Sequence, residues 1–306
     1  MSAEPGPALR VLVTGGSGFI GRHVVGELRS RGHEVSVVDR VPFPDPDVPT
    51  VTGELDDSAV RDHAVTEGLD AIVHLAAETS VLGSIERPAL VQRTNVDVTA
   101  ALLELARERD VEAFVLASTN AVVGTFEGTM TESVPLAPMT PYGATKAAGE
   151  MVMSGYSGAY GMRTPALRLT NVYGPGMHHK DSFIPRLLRA AADDDEVQIY
   201  GDGLQRRDLV HVGDVARAFA LAVAGWPSGP VIIGSGHSHT VLDLAEAARA
   251  ATGRAIPARH VPAKPGEMPA VVVDISRARG HGWEPSVTLQ EGVRSAWADF
   301  SPVPGP

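Results

Sequence analysis

Residues 9–21 read LRVLVTGGSGFIG, and this stretch decides the fold class. Its first part, residues 9–13, is apolar and of strand length, so it predicts a buried β-strand. Gly15, Gly18 and Gly21 follow at once and lead into a segment of helical period. A strand that passes through a glycine turn into a helix is the first half of a crossover unit, which needs a second strand parallel to the first. The stretch therefore predicts a parallel α/β sheet that begins near the N-terminus.

The same alternation of strand-length and helix-period segments continues through the first half of the chain. This order is typical of a Rossmann-type, doubly wound parallel sheet with helices on both faces. After about residue 170 helices alternate with short strands and with loops rich in Gly and Pro. We therefore predict a cofactor domain at 1–170, to which parts of the later chain return, and a smaller α/β substrate lobe at 171–306. The predicted strands are 9–13, 35–38, 71–75, 113–117 and 166–169, and the predicted helices are 19–31, 88–109, 142–160, 182–192, 213–224, 241–252 and 288–300.

The composition restricts the classes of partner. The chain has 306 residues and a net charge of −11, which disfavours a nucleic acid because phosphates are bound by Lys and Arg. It contains no cysteine, so disulfides, thiolate metal sites and a cysteine nucleophile are excluded. No apolar run is long enough to predict a membrane span or a signal peptide. His178 and His179 are adjacent but lack the carboxylate spacing of a metal site. We expect a soluble cytoplasmic protein without a metal.

The glycine loop predicts a dinucleotide site. Gly15 permits a tight turn, Gly18 lets the backbone approach a pyrophosphate, and Gly21 allows the helix to pack closely on the strand. Asp39 ends the next predicted strand, where a carboxylate accepts hydrogen bonds from the ribose hydroxyls and repels a 2′-phosphate. This arrangement favours NAD over NADP. Arg40 leaves the alternative open, because its guanidinium is able to pair with that phosphate.

Tyr142 and Lys146 form the candidate catalytic pair. They lie four residues apart, so they share one face of a predicted helix. A free phenol has a pKa near 10, and lowering that pKa by about 3 units requires roughly 4 kcal/mol, which an ammonium and a positive nicotinamide ring can together supply. Tyr142 is then able to remove a hydroxyl proton while the same carbon gives a hydride to NAD. The pattern is common on helix surfaces, but its place after the strand at 113–117 favours a catalytic role.

Several motifs stand in a fixed order between about residues 9 and 300. They are TGGSGFIG at 14–21, HLAA at 74–77, NV at 95–96, ST at 118–119, PYGATK at 141–146, NVYGPG at 171–176, IYGDG at 199–203, RD at 207–208 and DVA at 214–216. With these motifs the chain resembles the extended short-chain dehydrogenase/reductases, in particular the nucleotide-sugar epimerase/dehydratase family typified by UDP-glucose 4-epimerase.

The resemblance implies a role for each matched position. Thr119 would hydrogen-bond the reacting oxygen of the sugar, Tyr142 would be the base, and Lys146 would be its partner and a ligand of the nicotinamide ribose. Asn95 is as well explained by a buried structural amide as by a ligand role. Cofactor contacts are expected at Gly15, Gly18, Phe19, Ile20, Gly21, Asp39, Arg40, Glu54, Leu55, Leu75, Ala76, Ala77, Thr79, Asn95, Ala117, Tyr142, Lys146 and Leu169. Substrate contacts are expected at Thr119, Asn120, Asn171, Ser182, Phe183, Gln198, Tyr200, Arg207, Lys264 and Glu267.

Departures from the family pattern narrow the expected chemistry. Relatives that eliminate water or carboxylate carry an acid just after the position of Thr119, whereas this chain has Asn120 and Ala121. We therefore favour a UDP-sugar 4-epimerase over a 4,6-dehydratase or a decarboxylase. A reductase of nucleotide 4-keto-6-deoxy sugars that uses NAD(P)H is the alternative, and a non-catalytic NAD sensor is a third hypothesis. The sequence does not decide which sugar is bound, nor whether the nucleotide is UDP or dTDP. The resemblance also implies a homodimer that pairs through helices 88–109 and 142–160.

Overall fold

The computed structural model describes residues 7–263 and 270–301. The described chain is a mixture of strands and helices. The strands are β1 (Arg10–Thr14), β2 (Glu34–Asp39), β3 (Thr50–Thr52), β4 (Ala71–His74), β5 (Ala113–Thr119), β6 (Thr129–Met130), β7 (Pro165–Leu169), β8 (Asn171–Tyr173), β9 (Val197–Tyr200), β10 (Arg206–His211), β11 (Gly229–Ile233), β12 (Ser238–Thr240), β13 (Ala258–Val261) and β14 (Val272–Val273). The helices are α1 (Phe19–Ser30), α2 (Ser58–Ala64), α3 (Val81–Glu86), α4 (Pro88–Gln92), α5 (Val98–Glu108), α6 (Pro141–Tyr160), α7 (Phe183–Asp193), α8 (Val212–Gly225), α9 (Val241–Thr252), α10 (Ser276–Gly280) and α11 (Leu289–Trp297).

The main sheet has seven strands in the order β11-β7-β5-β4-β1-β2-β3, and every neighbouring pair is parallel. The strand order reverses at β1, which confirms the predicted doubly wound parallel sheet. All the carboxyl ends lie on one edge, so the loops that follow β1, β2, β4, β5 and β7 meet there. The later chain contributes β11 to the sheet and packs α8 against α1. Residues on both sides of position 170 therefore build the main sheet and the helices that cover it.

The central strands of the sheet, β1, β4 and β5, are buried on both faces because they are mainly apolar. Val11, Leu12 and Val13 of β1 are completely buried, one after another. Helix α1 covers one face with Val24 and Leu28, and burying each such side chain contributes about 2 kcal/mol. This continuous burial is the reason that an apolar run, rather than an alternating one, marks the strands of this fold.

The second lobe has its own core. Strands β8, β10 and β12 form a small sheet, β9 pairs with β13, and helix α9 packs against α7 and α11. Ile184, Leu187 and Leu244 are at most 2% exposed in this core. Phe19, from the start of α1, packs into the same cluster, so the glycine loop and the second lobe are in direct contact.

The predicted helix at 88–109 is interrupted. It consists of α4, a π-helical turn at Arg93–Asp97, and α5. The turn places Asn95 against the loop that follows β4, and the Thr99 hydroxyl donates to the Asn95 carbonyl. A π turn cannot be read from apolar spacing, because it changes the helical phase by a single residue. Within the described ranges, no helix has the length and apolar composition needed to cross a bilayer.

Candidate active site

The glycine loop packs so closely that side chains at its glycines would displace neighbouring backbone. Gly15 has φ of +70°, and a Cβ on it would lie 2.8 Å from the Ala76 nitrogen. A Cβ on Gly21 would lie 2.6 Å from the Cα of Gly16, so the helix packs directly on the loop. Gly18 is the N-cap of α1 and offers no side chain to the first N–H groups of the helix. These N–H groups and the helix dipole fit the pyrophosphate of NAD.

Asp39 lies beside the glycine loop, at the end of β2. One carboxylate oxygen accepts a hydrogen bond from the Ser17 N–H at 3.0 Å, and the other accepts from the Val41 N–H at 3.3 Å. The carboxylate is therefore oriented at the loop where an adenosine ribose is expected. Arg40 points into solvent, with 67% of its side chain exposed, and its Nη1 atom lies 3.9 Å from Glu78.

A buried hydrogen-bond chain runs from the glycine loop strand to the π-helical turn. The Ala76 N–H donates to the Thr14 hydroxyl, which lies 2.7 Å from His74 Nδ1. His74 Nε2 lies 3.0 Å from the Thr99 hydroxyl, which itself donates to the Asn95 carbonyl. Burial, with the charge of the nearby lysine, lowers the pKa of His74 to about 3, so its ring is neutral. With Thr99 already donating, Nε2 must carry the proton and Nδ1 must accept from Thr14.

Asn95 links this chain of hydrogen bonds to helix α6, which carries the predicted pair Tyr142 and Lys146. Its amide donates to the Glu78 carbonyl at 3.0 Å and to the Thr145 hydroxyl at 3.1 Å, and its side-chain oxygen accepts from the Glu78 N–H at 2.9 Å. The residue is 2% exposed. Both N–H donors are thus used inside the protein, which supports the structural alternative for Asn95 over a ligand role.

The start of helix α6 positions Tyr142. Thr140 is the N-cap and accepts a hydrogen bond from the Gly143 N–H at 3.2 Å, and Pro141 occupies the first helical position. A Cβ on Gly143 would lie 2.6 Å from the Ala121 carbonyl, so the helix meets the loop after β5 at close range. This approach brings the Tyr142 hydroxyl into hydrogen-bond contact with Thr119. Two of the three predicted catalytic residues are therefore joined directly.

Burial has the largest effect on the pKa of both Tyr142 and Lys146. In the folded chain burial raises the pKa of Tyr142, and the hydrogen bond from Thr119 only partly offsets this. The lowering expected from Lys146 together with a bound nicotinamide ring stays a prediction, since burial dominates the pKa of Tyr142 in the protein alone. Lys146 is 3% exposed, and burial lowers its pKa to about 8 while Glu150 acts to raise it.

The predicted substrate residues largely share one cleft in the second lobe, with a cavity volume of about 220 Å³. Sequence reasoning missed Arg186, although it lies one helical turn after Ser182 and so shares its face. Gln205 was also missed; its side chain donates to the Tyr200 carbonyl at 3.0 Å. The predicted residues that line the cleft are Asn171, Ser182, Phe183, Gln198, Tyr200 and Arg207.

Comparison with known proteins decides the family. A sequence model of the NAD dependent epimerase/dehydratase family matches residues 11–234. The chain belongs to this family. Its membership confirms the resemblance drawn from the motifs and, since the family is NAD-dependent, the predicted cofactor.

Relatives in this epimerase/dehydratase family align over nearly the whole chain. A dTDP-glucose 4,6-dehydratase from Streptomyces niveus is 37% identical over 93% of this chain and 90% of its own length. The UDP-glucose 4-epimerase of Thermus thermophilus, solved in complex with NAD, is 35% identical, with a TM-score of 0.89 over 95% of this chain and 99% of its own. The UDP-glucose 4-epimerase of Thermotoga maritima, solved with UDP-glucose, is 30% identical, with a TM-score of 0.89 over 95% of this chain and 98% of its own.

The remaining predicted cofactor residues of this epimerase/dehydratase lie on or after the strands of the main sheet. Leu75, Ala76 and Ala77 follow β4 and are partly buried, whereas Thr79 is exposed. Ala117 lies within β5, and Leu169 ends β7 with 6% exposure. Glu54 is exposed after β3, and Leu55 beside it is buried at 8%. The Phe19 side chain packs into the core of the second lobe, and the Ile20 side chain packs between the two cores. A phosphate would therefore be contacted by the backbone N–H groups of these two residues rather than by their side chains.

The two positions directly after Thr119 carry no acid in this family member. Asn120 begins a short 3₁₀ turn, and the Ala121 N–H donates to the Thr119 hydroxyl at 3.2 Å. Lys264 and Glu267, which were predicted to contact the nucleotide sugar, lie outside the described residues. His178 and His179 stack edge to face on an exposed loop.

Proposed function

We propose that this protein is an NAD-dependent nucleotide-sugar 4-epimerase that acts on a UDP-sugar. The observation that carries the proposal is the hydrogen-bonded pair Tyr142 and Thr119, set beside the buried Lys146 at the carboxyl edge of the sheet. The absence of a carboxylate at Asn120 and Ala121 favours epimerisation over elimination.

The chemistry assigned to this site is a reversible oxidation at C4 of the sugar. NAD, when bound, supplies the acceptor that takes the C4 hydride and gives it back. Tyr142 removes the proton of the 4-hydroxyl and later returns it, while Thr119 hydrogen-bonds the same oxygen. Lys146, when protonated, and the positive end of the α6 dipole both stabilise the phenolate in the first turn of that helix. The 4-keto sugar rotates between the two hydride transfers, so that the hydride returns to its other face. No external reductant is consumed.

The cleft of the second lobe supports a nucleotide diphosphate as the handle of the substrate. Arg186 and Arg207 both line it, and planar guanidinium groups suit phosphate oxygens. Tyr200 and Gln198 occupy the same cleft beside them, at the end where we place the base. The Thermotoga maritima relative solved with UDP-glucose favours UDP over dTDP.

We also propose that the protein forms a homodimer in which the two subunits pair through the α4–α5 segment and α6. Met151 and Tyr160 on α6 are 63% and 59% exposed, which is large for apolar side chains on one helix. Sedimentation of the purified protein at several concentrations tests this assignment.

Two other activities compete with the proposal. A dTDP-glucose 4,6-dehydratase is favoured by the Streptomyces niveus relative, which is 37% identical to this chain. A reductase of nucleotide 4-keto sugars would use the same three residues with exchangeable NAD(P)H. The first requires an acid and base for C6, and the loop at Asn120 and Ala121 supplies neither.

The test uses the purified protein without added cofactor. It is incubated with UDP-glucose, UDP-glucuronate, UDP-N-acetylglucosamine and dTDP-glucose, and the products are examined by NMR and mass spectrometry. We expect the 4-epimer of a UDP-sugar with unchanged mass, and no turnover after Tyr142→Phe. Loss of water from dTDP-glucose, or turnover of a 4-keto sugar only with added NAD(P)H, would contradict the proposal.

A further inference from the structure

A buried ion pair lies directly behind the catalytic lysine. Glu150 follows Lys146 by one turn of helix α6, and Arg168 approaches it from strand β7. Arg168 Nη2 lies 2.7 Å from Glu150 Oε2, and Arg168 Nε lies 3.0 Å from Glu150 Oε1. The Ser118 hydroxyl donates to the same Oε1. The arginine and glutamate side chains are 4% and 7% exposed, so the pair is almost fully removed from water.

Stability alone does not account for this pair. Removing two charges from water costs several kcal/mol per ion, and apolar side chains of similar size often stabilise a fold as well or better. The pair nevertheless lies among apolar residues of the main sheet, next to the strand end that carries Thr119. Its position relative to the catalytic helix therefore suggests a role in the chemistry.

The carboxylate of Glu150 is bound by Arg168 and Ser118. Its two oxygens are occupied by the fork of Arg168 and by Ser118. Among the described ion pairs, none within 4.0 Å joins Glu150 to Lys146. The carboxylate still acts on Lys146 through space, since it is the charge that raises the pKa of this buried ammonium.

The other groups that face Lys146 do not supply a negative charge. His74 on β4 is neutral because burial and Lys146 hold its pKa near 3. Tyr142 on α6 is protonated in the protein alone, since burial raises its pKa. Arg168 on β7 is positive and lies beyond Glu150. Glu150 is therefore the group that favours a charged Lys146.

We propose that Glu150, clamped by Arg168 and Ser118, is a positioning residue that keeps Lys146 charged and so sets the share of Tyr142 that exists as phenolate. The inference rests on the proposed function, in which Lys146 is the electrostatic partner of Tyr142. Tyr142 and Lys146 titrate as a coupled pair, and one proton fewer leaves either phenolate with ammonium or phenol with amine. The field of Glu150 favours the first form, because it stabilises the ammonium one turn away.

The test is tyrosinate absorbance of the NAD-bound protein across a pH series. Each protein is compared with its Tyr142→Phe counterpart, so that only Tyr142 contributes to the difference. For Glu150→Gln we expect the phenolate signal near pH 8, about the pKa of Lys146, to fall roughly tenfold, as a shift of one pKa unit implies. Glu150→Asp keeps the charge and is expected to restore much of the signal. In turnover, kcat is expected to fall in the same proportion with little change in KM.

A double variant guards against misfolding. Glu150→Gln leaves Arg168 buried without its partner, whereas Glu150→Leu with Arg168→Met removes both charges and keeps the volume. The double variant is expected to fold and to lose phenolate signal, though less than Glu150→Gln does, because the opposing charge of Arg168 is removed as well. A wild-type phenolate signal in the folded double variant overturns the inference. If no UDP-sugar is turned over by the wild type but the phenolate signal still falls in the variants, the proposed function fails and the role of Glu150 stands.

Discussion

The Nδ1 atom of His74 accepts a hydrogen bond from the Thr14 hydroxyl, 2.7 Å away, at the junction of two neighbouring strands. This bond ties the strand that leads into the glycine loop to the strand that leads into the Leu75–Ala77 segment. Through Thr99 and Asn95 the same chain of bonds reaches Thr145 on helix α6. Neutral groups rather than charges therefore connect the glycine loop to helix α6, which carries the proposed catalytic pair.

The neutrality of His74 predicts a loss of stability in acid. Its pKa is about 3 in the folded chain and 6.5 when unperturbed, so between these values only the unfolded chain binds the proton. The free energy of unfolding then falls as the pH falls below 6.5, by about 2 kcal/mol at pH 5. Denaturant unfolding of the wild type and of His74→Gln measures this, since the glutamine does not titrate. Equal pH dependence in the two proteins would show that His74 is not the group responsible.

Lys146→Met is expected to raise stability while it abolishes turnover. The pKa of Lys146 is about 8 in the fold against 10.5 when unperturbed, so below pH 8 the buried ammonium destabilises the protein by as much as about 3 kcal/mol. This cost disappears as the pH rises toward 10.5, where both states lose the proton. Unfolding of NAD-free protein should therefore show a more stable variant at pH 7 and a smaller difference at pH 10. A variant that is less stable at pH 7 would contradict the burial cost.

Alanine substitutions at two glycines of helix α1 are expected to change the stability of the protein in opposite directions. A Cβ on Gly21 would lie 2.6 Å from the Gly16 backbone, which cannot move without opening the loop, whereas a Cβ on Gly26 meets nothing within 4 Å. We expect Gly21→Ala to cost about 1–3 kcal/mol and to remove NAD binding. Gly26→Ala is expected to gain up to about 1 kcal/mol, because alanine favours the helix. Thermal unfolding and the NAD content of the purified proteins measure both, and retained NAD in Gly21→Ala would refute the close-packing argument.

The two adjacent arginines of strand β10 have different surroundings, so they provide a matched test of the substrate cleft. Arg207 lines the cleft, while Arg206 is exposed and donates to the Ser238 carbonyl at 2.6 Å. Arg207→Lys keeps the charge but loses the planar fork, so KM for the nucleotide sugar is expected to rise roughly tenfold to hundredfold. Arg206→Lys serves as the control and should leave KM near the wild-type value. Similar KM values for the two variants would argue against the diphosphate pose.

The sequence alone determined those features of this protein that depend on the spacing of neighbouring residues. The glycine loop, Asp39 at the end of the second strand and the four-residue interval from Tyr142 to Lys146 each depend on a few neighbouring residues. The periods of strand and helix then fix which side chains face together. The family, the parallel sheet and NAD follow from such short-range patterns.

Only the tertiary structure decided how distant segments meet. It placed β11 at the edge of the main sheet, gathered the cleft residues from several elements, and joined Thr119 to Tyr142. The π turn at Asn95 and the clamp of Arg168 on Glu150 likewise have no signal in local periodicity. Burial decided the charges as well: desolvation raises the pKa of Tyr142 and lowers that of Lys146, and desolvation depends on the packing of the whole chain around them.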